Sequence, residues 1–308
     1  MRSQAKTLRP ATVVTLGRLG VEGAASEGTT ALLSQPKRLA VLLYVLLSQR
    51  GGALSRDQVI SVFWPESDSM RARNSLRQTL SFIRTCLGPD AVVSVGVQGL
   101  TVASHLTCDA VQFEALLTTG RREEALQLYS GELLPGFHVT GAGAFEEWLD
   151  NQRLRLGQRA VRAAWELSAE CESKGDQAGA AFWGKRALAL SPFSELEVQR
   201  LLRVLLRVGD YAGALRAFEG LQRALQREFG VGPADETVQL ANKARERISS
   251  AATAPATPAR VRRSRGERRV SQRRISTAVW KGIERRKHAD RRVADRRSGF
   301  DRRGTPPQ

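Results

Sequence analysis

Residues 71–88 read RARNSLRQTLSFIRTCLG. Ala72, Leu76, Leu80, Ile83 and Leu87 recur at helical spacing, which predicts an amphipathic helix with one apolar face. At about 100° per residue, Arg73, Arg77 and Arg84 fall on one flank of that face. Arg71, Asn74, Gln78 and Ser81 fall roughly opposite it. Neither Asp nor Glu occurs between Arg71 and Gly88. Such a face suits base edges and phosphates alike: arginine pairs with guanine, and Asn or Gln with adenine. A solvated basic surface has the same composition, so the helix alone does not choose between the two readings.

Its neighbours narrow the choice. PKRLAVLLYVLLSQRGG (36–52) opens with Pro and closes with Gly-Gly, the residues favoured at helix starts and ends. Leu39, Leu42, Leu43, Leu46 and Leu47 form its buried stripe. SRDQVISVFW (55–64) begins with Ser55 and has Gln58 three residues on, a capping box. Val59, Ile60 and Phe63 are expected to face inward, and Pro65 to stop the helix. SDSM (67–70) reads as the turn, with Ser67, Asp68 or Ser69 as the next cap. AVVSVGVQGLTVA (91–103) reads as two short strands joined around Gly96–Gly99. Three helices and a hairpin make a winged helix-turn-helix, in which the third helix enters the major groove and the wing lies along the backbone or minor groove. Ahead of it, ATVVTLGRLGVEG and GTTALLSQ, within 11–34, read as short strands with Gly-rich turns.

The second half repeats itself. GDQAGAAFWGKRAL starts at Gly175 and GDYAGALRAFEGLQ at Gly209, an offset of 34 residues. Gly, Asp, Ala, Gly and Ala coincide in the two copies. That period is the tetratricopeptide (TPR) signature of paired helices. Phe182 and Phe218 are expected to fill the space between helices, and Pro192 to open the intervening helix. A weaker copy, GRREEALQLYSGEL, starts at Gly120. Stacked repeats bury one face and present a concave surface, which binds or oligomerises.

In this order the segments carry a family resemblance. The winged helix is followed by LTCDAVQFEALL (106–117), ALQLYSGELLPGF (125–137), FEEWLDNQRLRL (145–156), the repeats and FGVGPADETVQL (229–240). The chain resembles the bacterial transcriptional activator domain family, of the Streptomyces antibiotic regulatory protein type. WPESDSMRARNSLRQTLSFIRTCLG (64–88) is similar to the family's second and third winged helices. The resemblance implies a regulator that binds repeated promoter sites and contacts RNA polymerase. It places RNSLRQ (73–78) in the recognition helix, hence DNA contact at Arg73, Asn74, Arg77 and Gln78. If these serve anchoring shared among regulators, then Arg71, Ser81 and Arg84 become the candidates for readout particular to this chain.

The net charge of +17 and pI of about 11.0 invite a nucleic-acid reading for the whole chain. Most of that charge is local: residues 260–303 hold 18 Lys or Arg against five acids, +13 of the total. This segment follows the Pro- and Ala-rich SSAATAPATPAR and contains ERR and DRR units. It reads as an extended arm adding nonspecific phosphate affinity, as a docking peptide for an acidic partner, or as an anion sensor.

The expected fold class is therefore mainly α. A winged helix-turn-helix (11–104) precedes an α-helical TPR-like domain (105–248), and a flexible linker with an Arg-rich disordered tail follows (249–308). The expected partners are double-stranded DNA and RNA polymerase or another protein, and repeated sites leave room for a homo-oligomer on DNA. Cys86, Cys108 and Cys171 lack metal or disulfide spacing, which favours a reducing cytoplasm; the expected location is the bacterial cytoplasm, in association with the nucleoid. No apolar run is long enough to span a membrane. No metal, cofactor or catalytic role is expected. The histidines are scattered, no G-x-x-x-x-G-K-[ST] loop occurs, and adjacent Glu146 and Glu147 point about 100° apart on a helix. The competing function is a protein-interaction scaffold whose winged helix binds protein. An RNA-binding adaptor led by the tail is a further alternative.

Overall fold

The computed structural model describes residues 11–23, 26–49, 52–191 and 194–253. The fold is mainly helical. The tail expectations for residues 254–308 and the placement of Pro192 lie outside the described residues.

The N-terminal part runs β1 (Ala11–Val14), β2 (Gly20–Glu22), α1 (Ser26–Leu33), α2 (Pro36–Ser48), β3 (Leu54–Ser55), α3 (Arg56–Phe63), α4 (Ser69–Leu87), β4 (Val92–Val95), β5 (Gly99–Val102) and β6 (Leu106–Cys108). One three-stranded sheet has the order β2-β1-β6, with β1 antiparallel to β2 and parallel to β6. The other, β3-β5-β4, is antiparallel and contains the wing. The expected buried leucines of α2 are in place, with Leu47 only partly covered. The capping box of α3 is present: Ser55 Oγ accepts from Asp57 N, and Gln58 Oε1 accepts from Ser55 N.

One N-terminal expectation fails. GTTALLSQ is not a strand; Ser26–Leu33 is helical. Thr29 and Thr30 favour strands locally, but packing overrides them. Leu32 is fully buried, and Gly28 lies against the last turns of α4 so closely that an added Cβ would stand 2.3 Å from the Cys86 carbonyl oxygen.

The helical part follows as α5 (Asp109–Thr118), α6 (Arg122–Leu128), α7 (Gly143–Ser173), α8 (Gln177–Leu190), α9 (Glu195–Arg207), α10 (Tyr211–Phe229) and α11 (Asp235–Thr253). From α7 onward each helix packs on its successor. The 34-residue repeat has a direct structural cause. Gly175 and Gly209 take positive φ, 74° and 78°, and end their helices. Asp176 and Asp210 then cap α8 and α10 by accepting from Gly179 N and Gly213 N at 2.9 and 2.8 Å. Ala180 and Ala214 are fully buried one residue later.

Two expectations need correction here. Phe218 fills the core, but Phe182 is 60% exposed and rests on Trp183. The residue one period before Phe218 is Gly184, and Trp165 with Leu201 fills the space a side chain would need. The last helix also runs past the expected linker start at 249 to Thr253. Ala favours its continuation and Ser costs it only a few tenths of a kcal/mol, and Pro255 lacks the N–H a continuing helix would use.

The two parts share one core. Phe63 of α3 meets Phe145 of α7 at 5.1 Å between ring centres, and Tyr44 of α2 meets Trp148 at 4.8 Å. Beyond β1 the chain runs into the helical part. Leu134 N donates to the Thr15 carbonyl, Gly17 N to the Glu132 carbonyl, and Ser130 Oγ to the Leu16 carbonyl. At the centre is buried Asp109, the first residue of α5. It accepts from Thr15 N at 2.8 Å, Thr15 Oγ1 at 2.6 Å and Leu16 N at 2.9 Å. Removing this side chain strands several buried donors. Asp109→Ala is expected to lower stability by about 2–4 kcal/mol in urea unfolding, whereas exposed Glu147→Ala changes it by less than about 0.5 kcal/mol.

Candidate nucleic-acid interface

The helix that opened the sequence analysis is α4, and its start is set by Asp68. That side chain accepts from Met70 N at 3.1 Å and Arg71 N at 2.9 Å, so helix begins at Ser69 and not at Arg71. Residues 69 and 70, expected in the turn, belong to the first turn of helix. Ala72, Leu76, Thr79, Leu80 and Ile83 are buried, and Leu87 is half-buried at the end of the same stripe. Arg38 of α2 lies over the Phe82 ring at 4.2 Å and steadies the flank. The helix is thereby held along one side, and its opposite side faces solvent.

Six of the seven candidate residues occupy that solvent side: Arg71, Arg73, Asn74, Arg77, Gln78 and Ser81 are all exposed. Among the described residues, Arg73 and Arg77 have no ion-pair partner. Arg71 is less free, because its Nε lies 3.1 Å from Asp68 Oδ2, the carboxyl that caps the helix. The acid-free stretch noted from Arg71 onward thus has an acid one turn earlier.

Arg84 stands apart. It is half-buried, and its Nε donates to the Val92 carbonyl at 2.9 Å, tying α4 to the first strand of the wing. Sequence placed it on the helix flank correctly, but periodicity does not reveal a backbone acceptor eight residues on. Met70 was missed. It is 75% exposed in the first turn of α4, beside the polar face. Recognising Asp68 as the cap would have brought it into the helix.

The wing turns at Gly96, whose φ of 59° suits glycine. Its exposed side chains include Val93, Val95 and Val97, the last 88% exposed. No Lys or Arg occurs from Pro89 to Ser104. Besides Arg84 on the Val92 carbonyl, Arg56 reaches its first strand and donates to Ser94 Oγ at 2.7 Å. Positive charge is concentrated on α4, and the wing tip is apolar. Glu146, weighed above as half of a carboxyl pair, accepts from Val139 N at 2.6 Å and lies 3.1 Å from His138 Nδ1, while Glu147 is exposed beside it.

Residues 108–245, from the end of β6 into α11, match the family profile of the bacterial transcriptional activator domain. In that segment the chain is similar to the bacterial transcriptional activator domain family. Over 75% of its length it is 28% identical to Regulatory protein AfsR of Streptomyces griseus, and it spans 25% of that protein's length. Mycobacterium tuberculosis EmbR, solved in complex with a low affinity phosphopeptide, superposes with a TM-score of 0.50 at 18% identity. That alignment covers 78% of this chain and 66% of the EmbR chain. Over the aligned residues the chain therefore shares its fold with EmbR.

The geometry separates anchoring from display on α4. Arg84→Ala leaves the Val92 carbonyl without its donor and is expected to cost about 1 kcal/mol in thermal or urea unfolding. Arg73→Ala, on the free face, is expected to stay within about 0.5 kcal/mol of the parent.

Proposed function

We propose that the chain is a sequence-specific, double-stranded DNA-binding transcription regulator, an activator that recognises promoter repeats through α4. The observation that carries this reading is the exposed, unpaired face of Arg73, Asn74, Arg77, Gln78 and Ser81 on a helix fixed on its other side by core and wing. Arg73 and Arg77 hold phosphates or guanine edges, Asn74 and Gln78 reach adenine, and Ser81 adds a hydroxyl to either kind of base. Arg71 shares its charge with Asp68 and serves orientation more than affinity. Arg84 acts indirectly, by setting the angle between α4 and the wing.

In this reading residues 11–104 are the DNA-binding module, and residues 105–248 hold RNA polymerase or another protein. The C-terminal arm beyond them adds nonspecific phosphate affinity. The setting is the bacterial cytoplasm at the nucleoid, and tandem sites allow several copies on one promoter. The matching stretch of a protein named as regulatory supports this assignment. The competing reading, protein binding by the winged helix, draws on the apolar, cation-free wing tip.

Promoter fragments enriched from genomic DNA by the full chain supply the probe. Replacing Arg73, Asn74 and Arg77 together with Ala is expected to abolish binding to it in a gel shift. The double variant R73A/R77A keeps enough affinity at low salt for a titration. Its slope of log K against log salt should shrink by about 2, because each lost phosphate contact removes roughly 0.9. Unchanged affinity and slope would sink the DNA reading. Deleting residues 255–308 should lower affinity for random duplex while preserving the preference for the enriched fragment.

A further inference from the structure

Met70 is an apolar exception at the start of a polar face. Every other exposed residue of α4 is polar or charged, yet Met70 is 75% exposed in its first turn. At about 100° per residue it falls with Asn74, Arg77 and Ser81 inside an arc of about 60°, turned away from buried Ala72, Leu76 and Ile83. The Asp68 carboxyl fixes this turn by accepting from Met70 N at 3.1 Å and Arg71 N at 2.9 Å. The thioether thus stands at the N-terminal end of α4, the end from which a recognition helix reaches base edges.

A methionine has little to offer a phosphate. Its sulfur is a weak acceptor and it has no donor, whereas phosphate oxygens are held by N–H and O–H groups and by cations. In the major groove the group that matches it is the C5-methyl of thymine, which adenine, guanine and cytosine lack. The side chain is unbranched and turns about three bonds, so it can lay its terminal methyl on such a group without moving the helix. Two of the three side chains expected to give this chain its own readout are committed elsewhere: Arg71 pairs with Asp68, and Arg84 holds the Val92 carbonyl. Met70 is displayed on the same helix without such a commitment of its side chain to an ion pair or hydrogen bond.

We propose that Met70 reads a thymine through its C5-methyl group and so helps to set sequence preference. The proposal rests on the DNA reading of α4 and names a base that this reading leaves open. Met70 precedes Asn74 by four residues, about 6 Å along the axis, which puts the thymine within about two base pairs of the base that Asn74 reaches. One buried methyl-sized contact corresponds to about a fourfold change in affinity. Met70 therefore tunes the choice among sites, and Arg73 and Arg77 supply the bulk of the affinity.

The test uses the full chain and the enriched promoter fragment, with binding read by fluorescence anisotropy. In a series of copies one thymine at a time is replaced by deoxyuridine, which removes the C5-methyl and keeps the pairing edge. At one thymine of the bound site the parent is expected to lose about fourfold in affinity. M70A should bind the unmodified fragment about fourfold more weakly than the parent and be indifferent to deoxyuridine at that position. M70L, which keeps an apolar end of similar volume, should retain the sensitivity. Because Met70 is exposed, the thermal midpoint of M70A should match the parent's. The proposal is overturned if no deoxyuridine weakens the parent, if M70A binds the unmodified fragment as the parent does, or if M70A keeps the parent's sensitivity. The R73A/N74A/R77A variant separates the two ideas. Its unchanged binding would overturn the DNA reading and this proposal with it, whereas its loss of binding beside an unaffected M70A overturns this proposal alone.

Discussion

The contact on which the rest depends is the capture of the β1 end by Asp109. A short strand of four residues pairs with β2 and β6, and beyond it only a single antiparallel bridge, Leu16 to Leu133, continues the pairing. Its next two backbone N–H groups are buried and need acceptors. Asp109 supplies both, with the Thr15 hydroxyl as a third donor, and it sits at the first turn of α5, where a negative side chain is favoured. From the other side, the segment 130–134 takes the Thr15 and Leu16 carbonyls. The winged helix and the helical repeats are thus joined through hydrogen bonds that water cannot replace. The aromatic contacts of Tyr44 and Phe63 with Trp148 and Phe145 then close the seam.

Much of this architecture is legible in sequence where the information is local. The leucine stripe of α2, the Ser55–Gln58 capping box and the apolar face of α4 each lie within one or two turns, and each is found as expected. The 34-residue repeat is legible for the same reason. Gly-Asp-x-Ala-Gly-Ala encodes a left-handed helix end, a cap, a close approach to that cap and a buried methyl, all within six residues. What stays illegible is what depends on distant partners. The Thr15–Asp109 contact spans 94 residues. Thr29 and Thr30 suggest a strand, and only the close seat of Gly28 on α4 explains a helix there. Phe182 and Phe218 look equivalent, but a two-residue shift puts Gly184 at the matching position and leaves Phe182 outside.

The exposed face of α4 shows the same division. Exposure of Arg73, Asn74, Arg77, Gln78 and Ser81 follows from helical phase alone, and phase is legible. The commitments of Arg71 to Asp68 and of Arg84 to Val92 follow from cap geometry and wing placement, which are not. Seven candidates of apparently equal weight thereby become three groups: five displayed, one tethered at the helix start and one holding the wing.

A shared core has a consequence for how such a chain would work on DNA. Modules joined by a flexible linker let a recruited partner sample many positions, and the effective concentration depends on linker length. Here no linker separates α4 from α7. Instead Phe63 of α3 packs on Phe145 of α7, and β6 passes into α5 without a break. Bistable rearrangement is costly where a core and a hydrogen-bond network are continuous. In the proposed reading, a partner held by the helical part is presented at a fixed distance and rotation from the bases that α4 contacts. Regulation by loosening the joint would require breaking the Asp109 contacts, among the most buried polar interactions of the fold. In that reading control is cheaper at the surfaces, through the spacing of the DNA sites. The rigidity that makes the joint a poor switch makes site spacing in the promoter a strict variable, since shifting one site by half a helical turn would carry the presented partner to the opposite face of the duplex.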